Sequence, residues 1–156
     1  MGVEIERKFL VASDTWRAAA DAGTMLRQGF LSTDKERVVR VRVAGDVGTV
    51  TVKGLGAGAA RPEFEWVIDV TEAHEMLDTL ALRPLIEKTR YLVVHEGHTW
   101  EIDVFVGRNR GLVVAEVELD SETESVVLPS WVGDEVTADS RYANARLVEA
   151  PYDTWG

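Results

Sequence analysis

Apolar and polar residues alternate with a period of two over most of the chain, the spacing of strands whose two faces meet different surroundings. Turn residues divide the alternation into eight segments: Val3 to Val11, Thr24 to Ser32, Arg37 to Ala44, Gly48 to Gly54, Pro62 to Val70, Ile86 to His95, Thr99 to Val106 and Leu112 to Asp120. Short strands at this spacing predict an all-β barrel or sandwich. Between the fifth and sixth segments, Thr71 is placed to cap a short helix with an apolar stripe of Met76, Leu77, Leu80 and Leu82. A second short helix is expected around Ser13 to Ala20. Ser121 to Leu128 and Ser140 to Val148 each allow a helical turn or two, and Pro151 ends the last of these. With no repeat, linker or low-complexity tract, residues 1–156 read as one domain.

The polar faces of these strands are unusual because most of their positions are ionised. Glu4, Glu6 and Lys8 share one face of the first strand, opposite Val3, Ile5 and Phe9. Arg40 with Arg42, Lys53, Glu63 with Glu65, Lys88 with Arg90, Glu101 with Asp103, and Glu116 with Glu118 repeat the arrangement. Any one pair fits a solvated sheet face. The recurrence of same-sign pairs strand after strand fits less well, since like charges side by side on a sheet are destabilising unless an opposite charge lies between them. A divalent cation would satisfy the carboxylates, and a multiply charged anion the bases. Period two cannot say which face is wet, and by itself leaves the charges on the outside.

Composition narrows the chemistry. The 156 residues include 27 acidic and 17 basic side chains, a formal charge of -10 that argues against nucleic-acid or acidic-membrane partners. The chain has no cysteine, which excludes disulfides, thiolate metal sites and a cysteine nucleophile. No apolar run approaches the roughly 18 residues of a membrane span, and MGVEIERKFL carries charges where a signal peptide is apolar. A cytoplasmic location is the expectation.

Glu4-Ile5-Glu6-Arg7-Lys8 resembles the ExExK signature of the CYTH superfamily, the triphosphate tunnel metalloenzymes, and the later charged pairs follow in that family's order from Val3 to about Leu147. The resemblance is strongest to short bacterial inorganic triphosphatases. It implies an all-β dominated (α+β) fold: an eight-stranded antiparallel closed barrel forming a tunnel, charges inward, with a few short helices outside. Eight carboxylates against six bases then leave the wall at -2, and two Mg2+ ions would bring it to +2, suited to a triphosphate. The implied function is metal-dependent hydrolysis of inorganic tripolyphosphate to diphosphate and phosphate. Thiamine triphosphate hydrolysis, adenylyl cyclase activity and weak polyphosphate or nucleotide binding are the alternatives.

On the same resemblance, Lys8, Arg40, Arg42, Lys53, Lys88, Arg90 and Arg141 bind the phosphates. Glu4, Glu6, Glu116, Glu118 and Asp103 hold the metal, and Lys53, Glu116 and Glu118 act on the attacking water. Oxygen ligands favour Mg2+ or Mn2+. The expected partner is inorganic or organic triphosphate, with no nucleic acid and no membrane, and a homodimer is left open. The chain departs from the family at Phe30, where a tyrosine is common, and at Ser140, Ala143 and Ala145, where lysines are common.

Other features carry less. The glycines of Gly54 to Gly58 lack the following helix that a phosphate loop needs, and read as a hairpin connection. His95 and His98 flank a probable turn at Glu96-Gly97, and with His74 read as surface residues. Trp66 and Trp100 are expected to pack on apolar strand faces.

Overall fold

The computed structural model describes residues 2–57 and 59–156; Met1, the first residue of the 1–156 span, and Gly58 of the Gly54 to Gly58 connection lie outside the described residues. The strands are β1 (Gly2–Val11), β2 (Thr24–Ser32), β3 (Arg37–Ala44), β4 (Val47–Gly54), β5 (Ala60–Ile68), β6 (Ile86–His95), β7 (His98–Phe105), β8 (Val113–Glu118) and β9 (Val132–Glu135). Helix α1 spans Val70–Thr79 and α2 spans Asn144–Glu149, with short 3-10 turns at Thr15–Ala19, Gly107–Asn109, Ser140–Tyr142 and Tyr152–Thr154.

The strands pair antiparallel in the order β5-β4-β3-β2-β6-β7-β8-β1, and pairing of β1 with β5 closes an eight-stranded barrel. The first strand is shared along its length. Gly2 to Ile5 pair with β5, Glu6 to Leu10 with β8, and Phe9 and Val11 with β9, which lies outside the ring. Closure removes the exposed edges that an open sheet would leave.

The alternation is turned inside out relative to an ordinary barrel, which excludes an outward-charged barrel with an apolar interior. Ionised residues point inward, and three apolar clusters account for the rest. On one side of the wall Phe9, Trp100, Ile102, Ala115 and Val117 pack beneath Trp16 of the first 3-10 turn and Trp131 before β9. On another, Val41 and Val43 of β3 pack against Ala73 and Leu77 of α1. Gly48 permits this approach, because a Cβ there would stand 2.8 Å from the Ala73 Cβ. The third cluster closes one end of the barrel: Phe30, Val38, Ile86, Phe105 and Val114 meet Ala145, Leu147 and Val148 of α2. Each fully buried side chain of this kind is worth about 1.5–3 kcal/mol. The barrel is therefore a cup whose floor is α2.

Several local expectations need correction. Asp69, not Thr71, caps α1, its carboxylate accepting from the Glu72 N–H at 3.1 Å. In the stripe of that helix only Leu77 is fully buried, Met76 is partly so, and Leu80 and Leu82 are exposed. Ser121 to Leu128 forms no helix, and its chain runs to the unanticipated β9, whose four residues are too few to show a period. Trp66 is 55% exposed, stacked on Phe64 on the outer face of β5, whereas Trp100 is buried as expected. The Glu96-Gly97 turn is present, both residues having positive φ as a type I′ hairpin requires. No helix is long and apolar enough to cross a membrane.

Candidate active site

Because residues directly opposite in antiparallel strands share a face, the register alone assembles the site. It sets Lys8 beside Glu116, Glu6 beside Glu118, Glu4 beside Arg61, Lys53 beside Glu63, and Arg90 beside Asp103. The result is a cavity of about 240 Å³ lined by seven carboxylates and seven cations, floored by Phe30, Val38, Ala143, Asn144 and Ala145. The carboxylates are Glu4, Glu6, Glu63, Glu65, Glu101, Glu116 and Glu118; the cations are Lys8, Arg40, Arg42, Lys53, Arg61, Lys88 and Arg90.

Three ionic arrangements divide the wall. On one side Lys53 donates to Glu4 at 2.8 Å and lies 3.3 Å from Glu63, with Arg61 3.8 Å from Glu4. Opposite, Asp103 is saturated: Lys88 Nζ donates to it at 2.6 Å, and Arg90 donates through Nε at 2.8 Å and Nη2 at 3.0 Å. Arg90 also reaches Glu101 at 3.0 Å. Burial pushes the Lys88 ammonium down to about 7, against the attraction of Asp103.

Between them lies a cluster of like charge from β1 and β8. Burial and the neighbouring Glu116 and Glu4 hold the Glu6 carboxyl well above its ordinary range. Glu116 is itself held well below that range: burial opposes ionisation, but Lys8, Arg90 and Lys88 outweigh it. Glu118 is raised by burial and by Glu4. Two close carboxylates oppose each other's ionisation when no cation is between them. Among the described residues no three acidic or histidine side chains are grouped to hold an ion alone. Mg2+ and Mn2+ commonly take only one or two carboxylates and fill the remaining positions with water and phosphate oxygens, so the β1–β8 carboxylates fit a metal that arrives with a polyanion.

The arginines of β3 show the opposite need. Among the described residues Arg42 has no carboxylate partner, and its Nε donates only to Gln28 at 2.9 Å. Arg40 lies 3.7 Å from the half-exposed Glu65, donates to Thr51 at 3.1 Å, and its buried Nε has no partner. Burial pushes both guanidinium groups down, assisted by Arg90 at Arg40 and by Arg40 and Arg90 at Arg42. Largely desolvated cations with incomplete counter-charge are costly and receptive to an anion.

Of the sequence-read residues, Arg141 is not brought to the cavity; it is 63% exposed at its side chain and clamped to Asp139 at 2.7 Å. Asp103 lies in the wall behind Lys88 and does not line the cavity, so both its oxygens are committed to protein cations. The sequence reading missed Arg61, Gln28 and Asn144. Arg61 follows from period two with Glu63 and Glu65, whereas the link of the uncharged Gln28 and Asn144 to the cations joins distant parts of the chain. Phe30 does face the cavity, but as part of its apolar floor. His98 is bonded to Glu124 and His74 to Arg27, away from the cavity lining.

The family model described as CYTH domain matches residues 2–150. The chain is 49% identical over 152 residues to an inorganic triphosphatase of Acetivibrio thermocellus, covering 97% of both chains. It is 41% identical over 148 residues to an inorganic triphosphatase of Nitrosomonas europaea, covering 92% of this chain and 95% of the relative. A crystal structure of an inorganic triphosphatase, 36% identical, matches with a TM-score of 0.64 over 92% of this chain and 96% of the other.

Proposed function

The chain belongs to the CYTH domain family, and on that premise we propose that it is a triphosphatase that hydrolyses inorganic triphosphate to diphosphate and phosphate with the help of Mg2+ or Mn2+. The observation that carries this reading is the juxtaposition in one cavity of Arg42, which has no carboxylate partner among the described residues, and Arg40, whose buried Nε is unpartnered, with the neighbouring carboxylates of Glu6, Glu116 and Glu118. The arginines are only partly balanced by carboxylates, and Glu6 is crowded by the carboxylates of Glu4 and Glu116. A metal triphosphate supplies an anion to the former and a cation to the latter.

Glu4, Glu6, Glu116 and Glu118 are the residues that hold the metal in this reading, and Asp103 is not needed among them. When bound, the ion neutralises charge on the phosphate oxygens as it develops. Arg40, Arg42 and Arg90 grip non-bridging oxygens in bidentate fashion, while Lys8, Lys53, Lys88 and Arg61 contribute single charges. Attack of water on a terminal phosphorus forms one P–O bond and breaks the bridging P–O bond, so diphosphate leaves with the negative charge. Lys53 beside Glu4 orients the oxygens near the water. The water proton passes to a carboxylate of the β8 pair, for which the raised Glu118 at the cavity mouth is better matched than the strongly acidic Glu116.

The test is phosphate release from tripolyphosphate, ATP, thiamine triphosphate and diphosphate, with Mg2+, with Mn2+ and with EDTA. The reading expects tripolyphosphate to be cleaved fastest, only with metal, with diphosphate as co-product. Faster cleavage of an organic triphosphate moves the assignment to that substrate. No cleavage, with tripolyphosphate still raising the melting temperature, would make the protein a binding module.

A further inference from the structure

The three residues before and at the start of α2 touch the phosphate-binding wall in a way that the charge pattern does not explain. Lys88 Nζ donates to the Asn144 Oδ1 at 2.9 Å, and Gln28 Nε2 donates to the same oxygen at 2.7 Å. Gln28 Oε1 in turn accepts from Arg42 Nε at 2.9 Å. Lysine and arginine can only donate, so both amides are fixed in orientation from the two ends of this chain of bonds. Two residues earlier, the Tyr142 carbonyl accepts from Lys8 Nζ at 3.1 Å.

We propose that Asn144 is a positioning residue, through which the seating of α2 on the barrel floor aims Lys88 and, by way of Gln28, Arg42 at the bound phosphates. The inference rests on the triphosphatase reading. With two N–H groups of Lys88 held by Asp103 and Asn144, tetrahedral geometry fixes the direction of the third, and Lys88 lines the cavity. With Nε of Arg42 held by Gln28, its two terminal nitrogens remain for a bidentate contact. Without Asn144, Lys88 retains only Asp103, on the wall behind the cavity lining, and Gln28 loses its hold on the floor.

A double-mutant cycle separates this role from a structural one. Asn144→Ala should lower kcat/KM for tripolyphosphate with Mg2+ by about 10–100-fold, the scale of a misplacement near 1 Å. In a Lys88→Met background the same substitution should cost severalfold less, because the route through Lys88 is gone and only the one through Gln28 to Arg42 remains. Equal losses in the two backgrounds, or no loss in the parent, would overturn the proposal; displacement of α2 as a whole would give the former. If Asn144→Ala fails to fold, Gln28→Glu carries the same cycle against Lys88→Met, since it keeps an acceptor for Arg42 and removes the donor to Asn144. A loss there that shrinks with Lys88→Met supports the role, and one that persists unchanged overturns it. A parent inert toward tripolyphosphate removes the triphosphatase reading, whereas an active parent with equal losses removes only the positioning role.

Discussion

Two carboxylates of the same inner wall, the buried Asp103 and the half-buried Glu6, have opposite electrostatic surroundings. Asp103 is 1% exposed and accepts three hydrogen bonds from Lys88 and Arg90, so its pKa falls despite complete burial. Glu6 faces Glu116 and Glu4, which together with burial push its pKa well up. The difference separates scaffold from ligand: a carboxylate already balanced by protein cations fixes those cations in place, while one whose ionisation is opposed by neighbouring carboxylates is available to a metal that relieves the repulsion. Period two cannot draw this distinction, because both residues occupy the same kind of position on their strands.

The substitution that most sharply tests the Glu6 side is Glu6→Gln. It should reduce tripolyphosphate turnover by on the order of 100-fold or more, the scale of removing one preorganised charge-stabilising group. Its metal-free melting temperature should not fall, since a neutral amide replaces a carboxyl whose ionisation the site opposes. Undiminished turnover at saturating Mg2+ would take Glu6 out of the metal site.

Asp103→Asn should show the reverse balance. Breaking a buried ion pair by removing one partner costs about 3–5 kcal/mol, so denaturant unfolding should show a large loss of stability as Lys88 and Arg90 lose their counter-charge. A variant of parental stability with weakened metal affinity would instead place Asp103 among the ligands.

The pH dependence of the metal-free protein sharpens the contrast further. Glu6, Glu63, Glu101 and Glu118 are all raised above the ordinary 4.5, chiefly by burial, so above that pH the folded chain binds more protons than the unfolded one. Stability from these groups falls as pH rises through that window. Glu4, Glu116 and Asp103 are lowered, and their contribution is lost only below the ordinary range. Lys88, pushed down to about 7, acts in the opposite sense above that pH, where the folded chain binds fewer protons and stability rises. The metal-free melting temperature should therefore decline between about pH 5 and about pH 7, and Glu6→Gln should flatten the decline. Added Mg2+ should raise the melting temperature more at the upper end, because its binding displaces the Glu6 proton. A metal-induced shift that does not grow with pH would argue against that displacement.

The smallest effect belongs to Phe30→Tyr. Phe30 is 3% exposed and packs with α2 in the floor, so an added hydroxyl enters an apolar cluster rather than the carboxylate wall. Turnover should be nearly unchanged, and the melting temperature should fall by about 2–4 °C for each kcal/mol lost. A large rise in kcat would show that the floor takes part in placing the water.

The strands were legible because alternation is a local property, and all eight ended within two residues of their expected bounds at both ends. Which face pointed inward was not legible from the period, and came from the resemblance of the charged pairs to the CYTH family. Arg61 was within reach of the same period-two argument. Arg141 was misplaced because a charge near the C-terminus looks the same in sequence whether it meets phosphate or, as here, Asp139 two residues away. The roles of Gln28 and Asn144 were not legible, since their partnership joins positions 116 residues apart through uncharged amides.

The most direct test of the account is a crystal structure with Mn2+ and a non-hydrolysable imidotriphosphate, in which the anomalous signal locates the metal. The account predicts a peak at about 2.1–2.2 Å from β1 and β8 carboxylate oxygens, among Glu4, Glu6, Glu116 and Glu118, with phosphate oxygens completing the shell and Arg40 and Arg42 on the phosphates. A metal seated on Asp103 in place of Lys88, or a triphosphate bound in the cavity with no metal at the β1–β8 carboxylates, would contradict it.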